Sequence, residues 1–151
     1  MHRLYEHNDV AVFWDSDKCR YAAECKKRSP MTFDPVRRPW IDLTKAPAEE
    51  IWDAVSACPS GALTIAHTHE IRVEMEEDNN RSAAYAGDRM IGECNYNITP
   101  SGWVIYHTGV DQEHGGKGIA KRLVYKVVEA AEKSGGKVIP SCSYAAKVLS
   151  E

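Results

Sequence analysis

The chain has 151 residues, 43% of them apolar and 27% charged, with a formal net charge of −3. Acidic and basic residues interleave, so no basic track suits a nucleic acid and no acidic tail suits a disordered arm. No apolar run approaches the roughly 20 residues that span a bilayer, and the opening MHRLYEHNDV lacks the apolar core of a signal peptide, so the cytoplasm is the expected compartment.

Residues 9–15, DVAVFWD, alternate as a short strand, and ALTIA at 62–66 offers a partner. Between them come a cysteine-bearing turn, the segment TFDPVRRPWIDL and a helix over 48–57. Pro47 suits that helix's first turn, and Glu49 and Glu50 favour the positive end of its dipole. A unit of about sixty residues buries little core, and such units commonly lean on a metal or a disulfide. After the polar joint HTHE at 67–70, residues 71–76, 82–86, 89–98 and 103–110 read as four strands broken by EDNN, AGDR and TPSG. Ile119, Leu123, Val124, Val127, Val128 and Ala131 recur at helical spacing, and Gly135–Gly136 ends that helix. KVIP then reads as a buried strand and SYAAKVLS as a last short helix. Meander, helix, strand, helix indicates an α+β chain with the sheet central to its second part. The boundary falls at 66–70, giving domains 1–68 and 69–151.

Five cysteines in a chain expected in a reducing compartment point to metal binding or catalysis. Cys19, Cys25 and Cys58 stand in the first part, and Cys94 and Cys142 in the second. Bacterial ferredoxins hold a cluster with C-x2-C-x2-C and a distant C-P. Here CRYAAEC has the same outer spacing with Ala22 at the middle position, and Cys58-Pro59 supplies the distant element. Three thiolates so placed suit a cubane lacking one corner, or a complete cubane whose fourth iron has another ligand. Three ordinary buried thiols and a zinc site with one further ligand are the other readings.

Residues 9–66 resemble the divergent single-cluster ferredoxin domain of bacteria in C-x5-C, in Pro39–Ile41 and in Cys58–Leu63. They are similar also to three-iron ferredoxins. The resemblance implies an iron–sulfur cluster, 3Fe-4S or 4Fe-4S, on Cys19, Cys25 and Cys58. Some members of the divergent group carry histidine two places after the first cysteine, where this chain has Tyr21.

The segment HTGVDQEHGGKGIAKRLV runs from strand to helix through a glycine-rich turn. Bare backbone N–H groups at a helix start form an anion site, and Lys117 adds a cation. No parallel strand precedes the loop as a dinucleotide fold needs, and no G-K-[ST] appears as a P-loop needs. Strand, glycine loop, amphipathic helix and strand resemble the GNAT acyltransferase superfamily, whose pyrophosphate loop [QR]-x-x-G-x-[GA] reads here as Glu113 to Gly118. Segment 70–149 looks like its small single-domain members in His107–Val110, Gly116–Ala120 and Pro140–Cys142. The resemblance implies that acetyl-CoA binds at Thr108, Gly109, Val110, His114, Gly115, Gly116, Lys117, Gly118, Ile119 and Ala120. Glu113 departs from the pattern and sets a carboxylate near a pyrophosphate.

GNAT chemistry is attack by an amine on a thioester. It needs a base, an N–H for the oxyanion and an acid for the leaving thiolate. His107 is the candidate base, or else a structural histidine anchoring a bulge. Cys142 starts a helix whose dipole lowers thiol pKa, which suits a nucleophile or a contact to the thioester. Tyr144 is the candidate acid or a core aromatic, and Cys94 is packing. The expected function is an N-acetyltransferase with an unidentified amine acceptor, stabilised or regulated by its cluster. An electron carrier working with a redox partner protein, or a sensor of coenzyme and cluster without turnover, is the alternative.

Overall fold

Strand alternation and helical spacing settle into eight strands and four α-helices in the computed structural model, which describes residues 1–19, 23–115 and 117–150. Two compact units follow one another, the first comprising Arg3–Thr68 and the second running from His69.

In the first unit, β1 (His2–His7), β2 (Val10–Asp15) and β3 (Leu63–His67) form a sheet in that order. β1 is absent from the sequence expectation, because its apolar residues Leu4 and Tyr5 sit among charged and histidine neighbours. As the middle strand, β2 buries Val10, Ala11, Val12 and Phe13 consecutively, so its two faces are both covered. It pairs antiparallel with β3 from Val10↔His67 to Trp14↔Leu63. A five-residue helix α1 (Glu24–Arg28) and the helix α2 (Ala48–Ser56) complete the unit. Pro47 stands at the N-cap of α2 in extended conformation, just outside the first turn where the sequence placed it. Ile51, Ala54 and Val55 of α2 meet Val10, Val12 and Leu63, with Phe33, Ile41 and Leu43 closing the core. The intervening loop is tied by one guanidinium. Arg37 donates to the carbonyls of Met31 and Thr32 at 2.8 Å and of Pro39 and Trp40 at 3.1 Å.

The second unit is a five-stranded sheet in chain order: β4 (Ile71–Glu76), β5 (Arg81–Ala86), β6 (Arg89–Thr99), β7 (Gly102–Val110) and β8 (Val138–Pro140). The first four run antiparallel, and β8 lies parallel to β7 after a crossover through α3 (Ile119–Lys133). α3 buries Ile119, Leu123, Val124, Val127, Val128 and Ala131, the spacing read from the sequence. Two polar ties register it on the sheet: Ser82 Oγ donates to the Leu123 carbonyl at 2.7 Å, and buried Arg122 donates to the Ile71 carbonyl at 2.8 Å. α3 ends at Ser134, and Gly135 takes the left-handed conformation (φ 78°) that a side chain would strain. The last helix, α4, spans Ser143–Ser150. No helix among the described residues is long and apolar enough to cross a membrane.

Candidate functional site

The first unit brings its three cysteines to one recess. Asp15 ends β2 and caps a short 3-10 turn, Ser16–Lys18, by accepting from the Asp17 N–H at 3.1 Å; Cys19 follows. Ala23, held left-handed at φ 63°, starts α1 and so places Cys25 in its first turn. Cys58 comes off the end of α2, its N–H on the Val55 carbonyl at 3.0 Å. Tyr21 and Ala22, the positions that depart from ferredoxin patterns, lie outside the described residues. Cys19, Cys25 and Cys58 line the recess together with Trp14, Trp40 and Leu63, around roughly 340 Å³ of atom-free space including its open mouth.

The electrostatics of the thiols differ. Burial pushes the Cys25 thiol up, and the neighbouring Cys58 and Cys19 push it further against donation from the Lys26 N–H. Burial also raises Cys58, but the Ser60 hydroxyl and the N–H groups of Leu63, Ser60 and Ala62 outweigh it and hold the thiol below its usual value. Gathering three thiolates here therefore calls for positive charge between them.

Two features show what this recess fits. The indole Nε1 atoms of Trp14 and Trp40 are both buried and have no hydrogen-bond acceptor. Among the described residues no group of three His, Cys, Asp or Glu side chains is arranged to hold a single metal ion. A lone zinc ion draws four ligands onto one point at about 2.0–2.3 Å and presents no acceptor of its own. A cluster spreads its thiolates farther apart and carries sulfides that accept hydrogen bonds. The donor set and the orphaned N–H groups fit a cluster.

The second unit builds its site where β7 loses its neighbour. β8 pairs with β7 only over Trp103–Ile105, and the N–H groups of Ser141 and Cys142 then both turn onto the Ile105 carbonyl, at 2.9 and 3.0 Å. The β6–β7 register shifts at the same level, from Tyr96↔Ile105 to Asn95↔His107, so Tyr106 is a bulge residue. Residues 106–110 thus run past the end of β8 with one edge unpaired by it. The chain then makes a short 3-10 turn, Gln112–His114, and enters α3 through Gly118 at φ 74°. No side chain caps that N-terminus. The positive end of a fifteen-residue helix therefore lies at this loop with no side-chain cap upon it. Lys117 and Ala120 are half-buried, Ile119 is buried, and Gly115 is exposed. His114 Nδ1 is buried without a partner, although the sequence suggests an exposed loop residue. Gly116 lies outside the described residues. Glu113 points at a cation, with Arg89 Nη2 at 3.8 Å from Glu113 and 3.9 Å from Asp111, which moderates the carboxylate the motif departs by.

Two of the candidate catalytic side chains, His107 and Cys142, do not converge on one face. Thr108 pairs with Cys94 and Val110 with Gly92, whose missing Cβ would meet Leu123, so these residues face α3. His107 and Gly109 face the other way, with the imidazole lying over Gly109. Cys142 is on the Thr108 side. Burial pushes its thiol up, but donation from the Ala145 N–H, the Thr108 hydroxyl and the N–H groups of Tyr144 and Thr108 outweighs it, leaving the thiol below its ordinary value. Tyr144, in the first turn of α4, is 38% exposed and is not a core aromatic. Cys94 is fully buried, and desolvation lifts its thiol to about 11. The sequence reading of Cys94 as packing missed its tie to Thr108, which only the β6–β7 register reveals.

Comparison with known proteins gives two family matches. Residues 72–151 match the family described as GCN5-related N-acetyl-transferase, and residues 5–68 match the divergent 4Fe-4S mono-cluster family. A protein of Escherichia coli (strain K12), given as "Uncharacterized protein YjdI", is 26% identical over 66 residues, covering 44% of this chain and 87% of that protein. Its counterpart in Escherichia coli O157:H7 shows the same identity and coverage.

Proposed function

The chain belongs to the GCN5-related N-acetyltransferase family through residues 72–151, and from that premise we propose that it transfers an acetyl group from acetyl-CoA to an amine and carries an iron–sulfur cluster on its first domain. Domain 1–68 is read as the cluster domain and domain 69–151 as the acyl-CoA-binding one. The observation that carries the reading is the uncapped N-terminus of α3 beside the stretch of β7 that β8 leaves unpaired. The helix end suits a pyrophosphate, and an unpaired strand edge offers backbone groups to the arm leading to the thioester.

In this reading the two faces of β7 divide the work. Thr108 and Cys142 attend the coenzyme, on the side of α3, with Tyr144 following in the first turn of α4. His107 attends the incoming amine from the opposite face and takes its proton. The amine nitrogen bonds to the thioester carbonyl carbon, the carbon–sulfur bond breaks, and the coenzyme thiolate leaves with a proton from Tyr144 or water. Bound at Cys19, Cys25 and Cys58, the cluster would supply one-electron redox chemistry or a structural clasp for a small core. Glu24 and Ser60 are the oxygen-bearing side chains described at that recess.

Calorimetry with coenzyme A, followed by an acceptor screen that detects released thiol, tests the reading. Binding with turnover of an amine supports it. Binding without turnover across amine classes moves the protein to a sensor, and no binding removes the acyl-CoA reading.

A further inference from the structure

A buried N–H without an acceptor forfeits its bond to water and gains none in return, so native proteins rarely keep one without a reason. Two buried side-chain atoms without a hydrogen-bond partner, Trp14 Nε1 and Trp40 Nε1, belong to residues lining the same recess as the three thiols. The two indoles pack edge to face, with ring centroids 4.9 Å apart at 65°. One N–H can at most be directed at the other ring, and the second indole is still left without an acceptor. Both rings are anchored for this position. Trp14 is the last paired residue of β2, opposite Leu63, and Trp40 precedes buried Ile41 in the loop that Arg37 ties. Both rings pack against the core of the unit, where leucine or phenylalanine would fill the same place without the donor.

We infer that Trp14 and Trp40 donate their indole N–H groups to the sulfur atoms of the group held by Cys19, Cys25 and Cys58, and thereby raise its reduction potential. The inference rests on the cluster reading of the recess. Each N–H···S bond strengthens as negative charge on the sulfur grows, so it favours the reduced state over the oxidised one.

The test uses the full chain, reconstituted without oxygen from ferrous iron and sulfide. Trp14→Phe and Trp40→Phe should take up as much iron and sulfide as the unsubstituted chain and show a lower midpoint potential. The double variant should fall further, while Trp52→Phe, whose indole stacks on His67 instead, should not move. Equal potentials in all variants would overturn the inference and leave the cluster intact. Iron uptake without sulfide in the unsubstituted chain would overturn the cluster reading and the inference with it. If the phenylalanine variants do not fold, tryptophan labelled with ring ¹⁵N in the unsubstituted protein gives a second readout. Weak ¹⁵N hyperfine coupling to the paramagnetic cluster, retained in Trp52→Phe, supports the donation, and its absence overturns it.

Discussion

Thr108 Oγ1 lies 3.5 Å from Cys94 Sγ, directly across the β6–β7 ladder, and the same threonine meets Cys142 with its hydroxyl and its N–H. One hydroxyl has one proton to give. When Cys142 ionises, that proton belongs to the thiolate, and Cys94, kept protonated by burial, can turn its S–H toward the threonine oxygen. Thr108→Val should therefore move the pH profile of Cys142 alkylation upward, while Thr108→Ser should keep it in place. Peptide mass mapping of iodoacetamide adducts reads this thiol by thiol. An unchanged profile in Thr108→Val would show that the N–H groups of Ala145 and Tyr144 hold the thiolate without it.

Cys94 also makes a stability prediction. Its folded value, about 11, lies above the ordinary 9.0. Below pH 9 both folded and unfolded thiols are protonated and the stability is fully present. As pH rises toward 11 the unfolded thiol ionises first, so stability falls by up to about 2–3 kcal/mol. Urea unfolding across that window should show a steeper loss in the unsubstituted chain than in Cys94→Ala, whose slope lacks this contribution.

Cluster loss should be selective. Cys19→Ser, Cys25→Ser and Cys58→Ser should each lose most bound iron and sulfide and the visible absorption, because each thiol lines the one recess. Cys94→Ser, in the other unit, should retain them. Zinc in place of iron and sulfide after strictly anaerobic purification would sink the assignment.

How much of this was legible from residues alone follows from the range of each signal. The α3 stripe from Ile119 to Ala131 and the stop at Gly135 were legible because helix periodicity and left-handed glycine are local properties. So was the C-x5-C and C-P pattern that brings three thiols together. β1 was not, since Leu4 and Tyr5 are too few against charged neighbours to show a period, and its place at the edge of the sheet comes from pairing with β2. The split of His107 from Cys142 was hidden for a related reason. The Tyr106 bulge and the early end of β8 set which face each residue takes, and both depend on pairing with distant strands. Arg89 beside Glu113 and the orphaned indoles of Trp14 and Trp40 are likewise relations across space, with no spacing in the chain to announce them.

At the α3 loop, Gly115→Asp should weaken coenzyme A binding by about an order of magnitude, since it adds a carboxylate beside an anion site. The backbone at Gly115 is extended with φ −65°, and an added Cβ would lie 3.3 Å from the Gln112 carbonyl oxygen, so the turn must give slightly. Glu113→Gln should tighten binding by less than about tenfold, because exposed charges are worth about 0.2–1 kcal/mol and Arg89 already offsets this one. Calorimetry at low and high salt checks both, and equal affinity in Gly115→Asp would move the site elsewhere.

Cys142 carries the last prediction. A thiol below its ordinary value and beside the proposed thioester path can act in two ways. As a nucleophile it would take the acetyl group, and incubation with acetyl-CoA and no acceptor would leave an acetylated Cys142 visible by intact mass, with ping-pong kinetics. As a contact it would leave no adduct, and amine and coenzyme would have to be present together. The geometry favours direct transfer. Cys142 lies at the end of β8 on the α3 side, whereas His107, the base available to an amine, faces the opposite side of β7. An acetyl group parked on Cys142 would have to cross that sheet edge to reach an amine that His107 had deprotonated, while a thioester lying in the gap is open to both sides. His107→Ala should therefore cost about 10²–10⁴-fold in turnover, as loss of a general base does, and Cys142→Ala far less. An acetylated Cys142 that passes its acetyl group to an amine at the rate of turnover would reverse that order.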